Sequence, residues 1–401
     1  MSQYKAQSVE KATDRIYQLL LCPSCRGDLV LERFDQSNGV FRCAESCGTV
    51  WPFIDDIPRF VDIDLLKGSA SFQTYLHQFG TELESIDADF LDHLDHTDRP
   101  TEMDNSEIEN DTNTYFGHAW SEASEWGWID ESEVPESEEL RYKGGTIQAT
   151  ESAWESKALM SEDDIGPGSL VLDAGCGNGR FSEMAAQSGA SVISVDLGTE
   201  TVETASRNLE QRDNVFVVQG NLFELPFKYG VFDAAFSIGV LHHTGDARAA
   251  FESVSQHVSD DGILSVTVYH KLNPVWMKIN DALRSYTTDL SIESGERFAE
   301  GMASLARVAH RIHPHVLHGL NLLFRLQPTR THMFDWYSAP TASFHTYSEV
   351  ERWFIENGFT ITNTNKTAEY DDRLILQPWA ATVKGAKSDS TGSGGFFPYF
   401  G

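Results

Sequence analysis

Residues 171–181 read VLDAGCGNGRF, an apolar run that ends on Asp173 and enters a loop holding Gly175, Gly177 and Gly179. Glycines reach positive φ and let a ligand approach the main chain closely, and a helix opening near Asn178 points free N–H groups at an anionic ligand group. This stretch is constrained to a strand, a ligand-cradling loop and a helix. The glycines fall G-x-G-x-G behind an acid, not in the G-x-G-x-x-G order of a dinucleotide fingerprint.

The following segments repeat the rhythm. FSEMAAQSG places Phe181, Met184 and Ala185 on one helical face, and SVISVD at 191–196 reads as a second buried strand ending in an acid. Asp196 follows the loop by about 20 residues, where a carboxylate can accept both ribose hydroxyls. A helix over 199–210 leads to a third strand ending at Gly220-Asn221; VFDAAFSIGVLHH supplies a fourth running to Ser237, and GILSVTVYH at 262–270 a fifth. Alternation of this kind implies a parallel doubly wound sheet that binds ligands at its carboxyl ends. YSEVERWFIENGF at 347–359 reads as a helix, with strands expected at 359–366 and 374–384, so that 271–343 is an insertion over the carboxyl ends of the strands.

Over 170–270 the chain resembles the class I S-adenosylmethionine (SAM)-dependent methyltransferases, in particular the small-molecule branch similar to the quinone-biosynthesis enzymes. The matching residues are DAGCGNGRF, Val195-Asp196, LPF at 225–227, Phe232-Asp233 and SIGVLHHT at 237–244. The resemblance implies an α/β fold: a doubly wound, mostly parallel, seven-stranded Rossmann-like sheet with a helical lid insertion. It implies that Asp173, Ala174, Gly175, Gly177 and Asn178 hold the methionine end of SAM, Asp196 with Leu197 the ribose, and Asn221 with Leu222 the adenine, while Ser237 and Ile238 line the floor. Two departures stand out: Gly220-Asn221 replaces the family's Gly-Asp, and Asp260-Asp261-Gly262 its Pro-Gly-Gly. An Asn side-chain oxygen can still accept from an adenine amino group.

Methyl transfer from a sulfonium is an in-line displacement, so alignment and exclusion of water are the protein's main tasks. A base is needed only where the acceptor must lose a proton. His242 and His243 follow the fourth strand and are candidates for it, with packing of the LHH segment as the alternative. By resemblance Tyr337, in Asp335-Trp336-Tyr337, and His345, in FHTYSEV, are candidate acceptor-pocket residues, and Phe116 and Trp120 candidate lid residues.

Four of the five cysteines form two knuckles, Cys22 and Cys25 in CPSC and Cys43 and Cys47 in CAESC, around a segment that reads as a hairpin. Such pairs can deliver four thiolates to a tetrahedral structural Zn²⁺. The N-terminal residues lack the apolar core of a signal peptide, no apolar run is long enough for a bilayer span, and a cytoplasmic location is expected, where disulfides are rare. Residues 17–64 resemble the small zinc ribbon fused to some methyltransferases and found as a separate activator subunit, which implies a possible protein partner for this module. Cys176, inside the glycine loop, reads as a small packing residue.

The net charge of −31 argues against avid nucleic-acid binding, whose affinity comes largely from Lys and Arg displacing counterions. Between 81 and 140 there are 20 carboxylates against the single Arg99. Residues 301–334 invert the sign: they hold no carboxylate, only Arg307, Arg311, Arg325, Arg330 and five histidines. That patch could receive an anionic or lipid-like acceptor, support peripheral membrane contact through the lid, or pair with the acidic stretch.

The expected organisation is a zinc ribbon at 17–64, an acidic linker and cofactor-covering segment at 65–140, and a methyltransferase core at 141–270 and 344–387. A helical lid at 271–343 and a flexible tail at 388–401 complete it. The expected function is methyl transfer from SAM to a small or lipid-like acceptor. Alternatives are an RNA base methyltransferase that uses the ribbon to hold RNA, which the missing basic face disfavours, and a non-catalytic partner protein with the same fold.

Overall fold

The computed structural model describes residues 16–45, 47–87, 106–136, 144–366 and 379–388. The 389–401 part of the tail, much of the acidic stretch and the beginning of the last expected strand lie outside the described residues.

Two hairpins open the fold: β1 (Leu29–Arg33) with β2 (Gly39–Cys43), and β3 (Val50–Ile54) with β4 (Ile57–Phe60). The second turns on Asp55 and Asp56, both at positive φ (52° and 62°), as a two-residue hairpin loop requires. The core strands are β5 (Leu170–Ala174), β6 (Ser191–Asp196), β7 (Val215–Gly220), β8 (Phe232–Ile238), β9 (Val258–Tyr269), β10 (Phe359–Thr364) and β11 (Ala380–Lys387).

The seven-stranded sheet implied by the resemblance is corrected to one of eleven, in the order β1-β2-β3-β4-β7-β6-β5-β8-β9-β11-β10. Seven core strands are present, five of them parallel, with β11 antiparallel between β9 and β10. The sheet does not stop at β7 because β4 pairs parallel to it, placing Arg59 opposite Gln219 and Phe60 opposite Gly220. The cysteine hairpins are thus continuous with the core sheet.

The helices are α1 (Ala70–Ile86), α2 (Ser106–Glu122), α3 (Ile147–Lys157), α4 (Arg180–Gln187), α5 (Thr199–Asn208), α6 (Ala247–His257), α7 (Pro274–Thr287), α8 (Ile292–Ile312), α9 (Pro314–Asn321), α10 (Arg330–Ser338) and α11 (Tyr347–Glu356). The core strands are apolar on both faces, as buried parallel strands are. Leu172, Ala174, Ile193 and Val195 pack with Phe251 of α6 and Phe354 of α11, whereas Val171, Val192, Ala234 and Phe236 pack with Phe181 and Ala185 of α4. The described parts of the acidic stretch include helices: α1 buries Phe72, Tyr75, Phe79 and Leu83 against Val40, Val50 and Ile54 of the hairpins.

Helices α7 to α10 form the insertion. Asn273 caps α7 ahead of Pro274, and Pro314, which cannot continue a helix, divides α8 from α9. Tyr115 of α2, Trp276 of α7, Ala299 and Ala303 of α8, and Phe334 and Trp336 of α10 share one apolar cluster with Tyr269, at the end of β9. This cluster fixes the insertion over the carboxyl ends of the strands. Two of the four arginines of 301–334 pair locally among the described residues, Arg307 with Glu300 and Arg330 with Glu296 (3.5 Å), not with the acidic stretch.

Arg59 is fully buried where β4 meets the core, donating to Gln219 Oε1 (3.0 Å) and Glu203 Oε1 (3.3 Å). Gln219 in turn donates to Leu197 O and Thr199 Oγ1. Because removing one partner strands the others in a low-dielectric interior, Arg59→Met is expected to lower the unfolding free energy by about 2–3 kcal/mol in urea titrations. A change under about 0.5 kcal/mol, the range of neutral surface substitutions, would contradict this junction's importance.

Candidate functional site

The strand ends and the insertion enclose a cavity of about 470 Å³. The glycine loop forms one wall, with Gly175 at φ 91° and Gly177 at φ 55°. A Cβ on Gly175 would stand 2.4 Å from the Val240 side chain, so the loop needs glycine there for space as well as for conformation. Gly175 N and Cys176 N donate to Val195 O, tying the loop to β6. The Asp196 carboxylate accepts from Gly177 N and Gly198 N, each at 3.0 Å, and burial raises its pKa against those bonds.

Most of the expected cofactor residues meet here: Gly175, Gly177, Asn178, Asp196, Leu197, Asn221, Leu222 and Ile238 all line the cavity. Asn178 is fully buried; its Nδ2 donates to Trp126 O (2.7 Å), while its Oδ1 has no hydrogen-bond partner. Asn221 Oδ1 accepts from Phe223 N and so shapes the turn after β7. Phe116 and Trp120 of α2 cover the loop, and Trp120 would lie 3.0 Å from a Cβ on Gly177.

Asp173, Ala174 and Ser237 lie beneath this wall and do not line it. Asp173 accepts from Ser182 Oγ (2.6 Å), which accepts from Ser194 Oγ (2.7 Å), and Ser237 Oγ donates to Ala174 O (2.7 Å). Their geometry supports the loop from below.

Two residues expected on the acceptor side lie outside the cavity lining. Tyr337 is fully buried, its hydroxyl donating to Arg325 O (3.0 Å), and His345 pairs with Ser343 Oγ (2.8 Å) and packs edge-on against Trp353. Neither lines the cavity. Its wall takes instead Arg325 and His332, both from the cationic patch 301–334, together with Lys157, Arg180, Tyr269 and Asp335, which no sequence motif assigned to the site. The available signal was Asp335, the first carboxylate after the acid-free stretch 301–334.

His242 and His243 both line the cavity and differ in chemistry. His242 Nδ1 accepts from Tyr269 N (3.3 Å), so the neutral ring carries its proton on Nε2, which has no partner. Burial, with repulsion from nearby cationic groups, holds its pKa well below the usual value. His243 Nδ1 lies 2.6 Å from Thr341 O, which can only accept, so this nitrogen carries the proton and Nε2 presents a lone pair. That Nε2 sits 4.0 Å from Asp335 Oδ1, and Tyr269 donates its hydroxyl proton to Asp335 Oδ2 (2.6 Å). Burial lowers the His243 pKa, with Asp335 opposing, so the ring is neutral near pH 7 and Asp335 is placed to favour its protonated form.

The four knuckle cysteines converge separately, all Sγ atoms lying within 4.8 Å of one another. Sulfurs on a tetrahedral Zn²⁺ with bonds of about 2.3 Å stand about 3.8 Å apart. The observed separations of 3.7, 3.4 and 3.2 Å suit a four-thiolate structural site and exceed a disulfide bond. Among the described residues no helix is long and apolar enough to cross a membrane.

Residues 172–266 match the methyltransferase domain family. Ubiquinone biosynthesis O-methyltransferase of Erwinia tasmaniensis is 30% identical over 112 residues, covering 27% of this chain and 46% of that protein. An uncharacterised methyltransferase of Synechocystis is 32% identical over 109 residues, covering 27% of this chain and 50% of that protein. The chain thus spans about half the length of the curated relatives it matches. Among solved structures, magnesium protoporphyrin IX methyltransferase from Synechocystis with bound S-adenosylhomocysteine (SAH) is 18% identical, with a TM-score of 0.42, covering 71% of this chain and all of that one. Residues 172–266 are thus similar to a methyltransferase domain over the stretch that holds the glycine loop and β6 to β8.

Burial raises the Asp173 pKa to about 7. The folded protein therefore binds this proton more tightly than the unfolded chain does, and the associated stability is full below about pH 4 and lost as pH rises through about 7. Asp173→Asn, which does not titrate, should gain on the wild type by roughly 2–4 kcal/mol between pH 4 and pH 8 in urea unfolding of cofactor-free protein. A difference independent of pH would contradict this.

Proposed function

We propose that the chain transfers a methyl group from SAM to a small organic acceptor bound beneath the insertion, with His243 as the base for an acceptor that must lose a proton. The observation that carries this reading is the meeting, in one cavity, of a glycine loop bonded to Asp196 and a histidine lone pair backed by a carboxylate. SAM would supply an electrophilic methyl group on a good leaving group. Gly175, Gly177 and Asn178 are the candidates to hold its methionine end, Asp196 with Leu197 its ribose, and Asn221 with Leu222 its adenine. Asp173, Ala174 and Ser237 keep that wall in shape.

Between the two histidines, the hydrogen-bond geometry favours His243. The His242 acceptor nitrogen is occupied by Tyr269 N–H and its remaining nitrogen is a donor, whereas His243 Nε2 can take a proton and share the resulting charge with Asp335. Phe116 and Trp120 would exclude water from above. The curated relatives' name specifies an O-methyltransferase of ubiquinone biosynthesis, and an oxygen acceptor of that kind would require such a base. The four cysteines are proposed to hold a structural Zn²⁺ that stiffens the hairpins carrying β4.

His243→Gln should lower kcat by about 100-fold or more on a hydroxyl acceptor while SAM affinity stays within about twofold, and His242→Gln should cost less. The wild-type rate should fall as pH drops below the ordinary histidine range, because the neutral ring is the active form. Equal losses in both variants would remove the distinction. Metal analysis of purified protein should find about one zinc per chain; its absence would overturn the four-thiolate site.

A further inference from the structure

We infer that the acceptor side of the cavity takes a small organic anion, a carboxylate or phosphate ester, through Lys157, Arg180 and Arg325; this deepens, and rests on, the methyl-transfer reading. The three head groups come from the end of α3, the start of α4 and the loop before α10, and all face the same cavity. Elsewhere the fold neutralises or caps its buried guanidinium groups: Arg59 meets Glu203, Arg307 meets Glu300 and Pro328 O, and Arg284 donates to Trp336 O and Ala339 O. None of the cavity trio forms an ion pair among the described residues, and Arg325 Nε is buried with no partner. The three side chains are half-buried, and cations held in such a cavity without a paired counter-ion are costly, so an anionic ligand would stabilise the arrangement.

The aromatic contacts show how the cations are held without being satisfied. The Arg325 guanidinium lies 3.9 Å from the Trp336 ring centroid and 5.3 Å from that of Trp379; Arg180 lies 4.6 Å from Phe181 and 6.0 Å from Trp120. Stacking occupies the guanidinium faces and leaves their N–H edges for a planar or tetrahedral anion. Tyr337 fixes the Arg325 main chain through its hydroxyl, a positioning role in place of contact with the acceptor. Burial, with Arg180 and Arg325 adding to it, lowers the Lys157 pKa to about 8, and the same three cations help keep His332 neutral. Asp335, whose Oδ2 accepts from Tyr269, is the carboxylate whose charge opposes the shifts of Lys157, Arg180 and Arg325, and one carboxylate leaves the three cations in excess.

The cofactor cannot satisfy the trio. SAM carries one carboxylate but also an ammonium and a sulfonium, so its binding uses at most one anion and adds positive charge to the cavity. The second anion must arrive with the acceptor.

The test is calorimetric titration of the full-length protein with benzoate, inorganic phosphate and neutral benzamide at fixed ionic strength, with and without saturating SAH. SAH-loaded protein should take up benzoate or phosphate saturably, with benzamide at least about tenfold weaker. Arg325→Met and Lys157→Met should each weaken the anion by about tenfold and change SAH affinity by less than about twofold, while Lys157→Arg retains anion uptake and so reports a folded site. Preference for phosphate over benzoate would identify a phosphate ester, and the reverse a carboxylate. No saturable anion uptake, equal uptake of benzamide, or competition between SAH and the anion would overturn the inference. Wild-type protein that binds the anion but never SAH would instead sink the methyl-transfer reading.

Discussion

The site depends on the Asp196 carboxylate. It accepts from Gly177 N on one side and Gly198 N on the other, so the loop after β5 and the loop after β6 are held by a single charged group. Neither loop could keep its shape by apolar packing alone, since the first is threaded through glycines whose missing side chains make room for Val240 and Trp120. Gln219 extends the same scaffold outward, linking the Leu197 carbonyl to Arg59 of the cysteine hairpins. The hairpins, the sheet and the ligand wall are therefore one hydrogen-bonded structure.

The insertion completes the cavity from the opposite side with contrasting chemistry. Its apolar cluster on Tyr269 and Trp336 gives a fixed seat, and from that seat it aims Arg325 and Asp335 inward. Tyr269 serves both parts: its ring packs against His242 at 3.8 Å and against Trp336, its main-chain N–H sets the His242 tautomer, and its hydroxyl orients Asp335. The result is a neutral histidine beside a carboxylate at one end of a pocket that also holds Lys157, Arg180, Arg325 and Arg330 against Asp196, Glu122 and Glu296. On the reading proposed above, the Lys157, Arg180 and Arg325 side of this pocket would suit an anionic acceptor, and electrostatic fit of this kind sets specificity as much as affinity.

The glycine wall was legible in the sequence because its signals are local. The loop, Asp196 and Asn221 each sit at a strand end that apolar runs already mark, and they do share one cavity. The acceptor side was not legible, since Lys157, Arg180, Tyr269, Arg325 and Asp335 lie on separate elements that only tertiary packing assembles. Asp335 and Tyr337 show the limit of reading by segment: two residues apart on a helix, they point about 200° from one another, so a cavity-facing Asp335 sends Tyr337 into the core. The eleven-stranded sheet was missed because β4 is only four residues long and pairs with a strand some 160 positions away. Its Arg59, buried in this short strand, gave no local sign of its partners.

The account rests most heavily on the Asp196 wall being a seat for an adenosyl cofactor. Isothermal titration of the zinc-loaded protein with SAH, alongside Asp196→Ala, addresses this directly. Saturable one-to-one uptake by the wild type, weakened at least about tenfold in the variant, is the expected result. A folded wild-type protein with no uptake, or a variant that binds equally well, would contradict it.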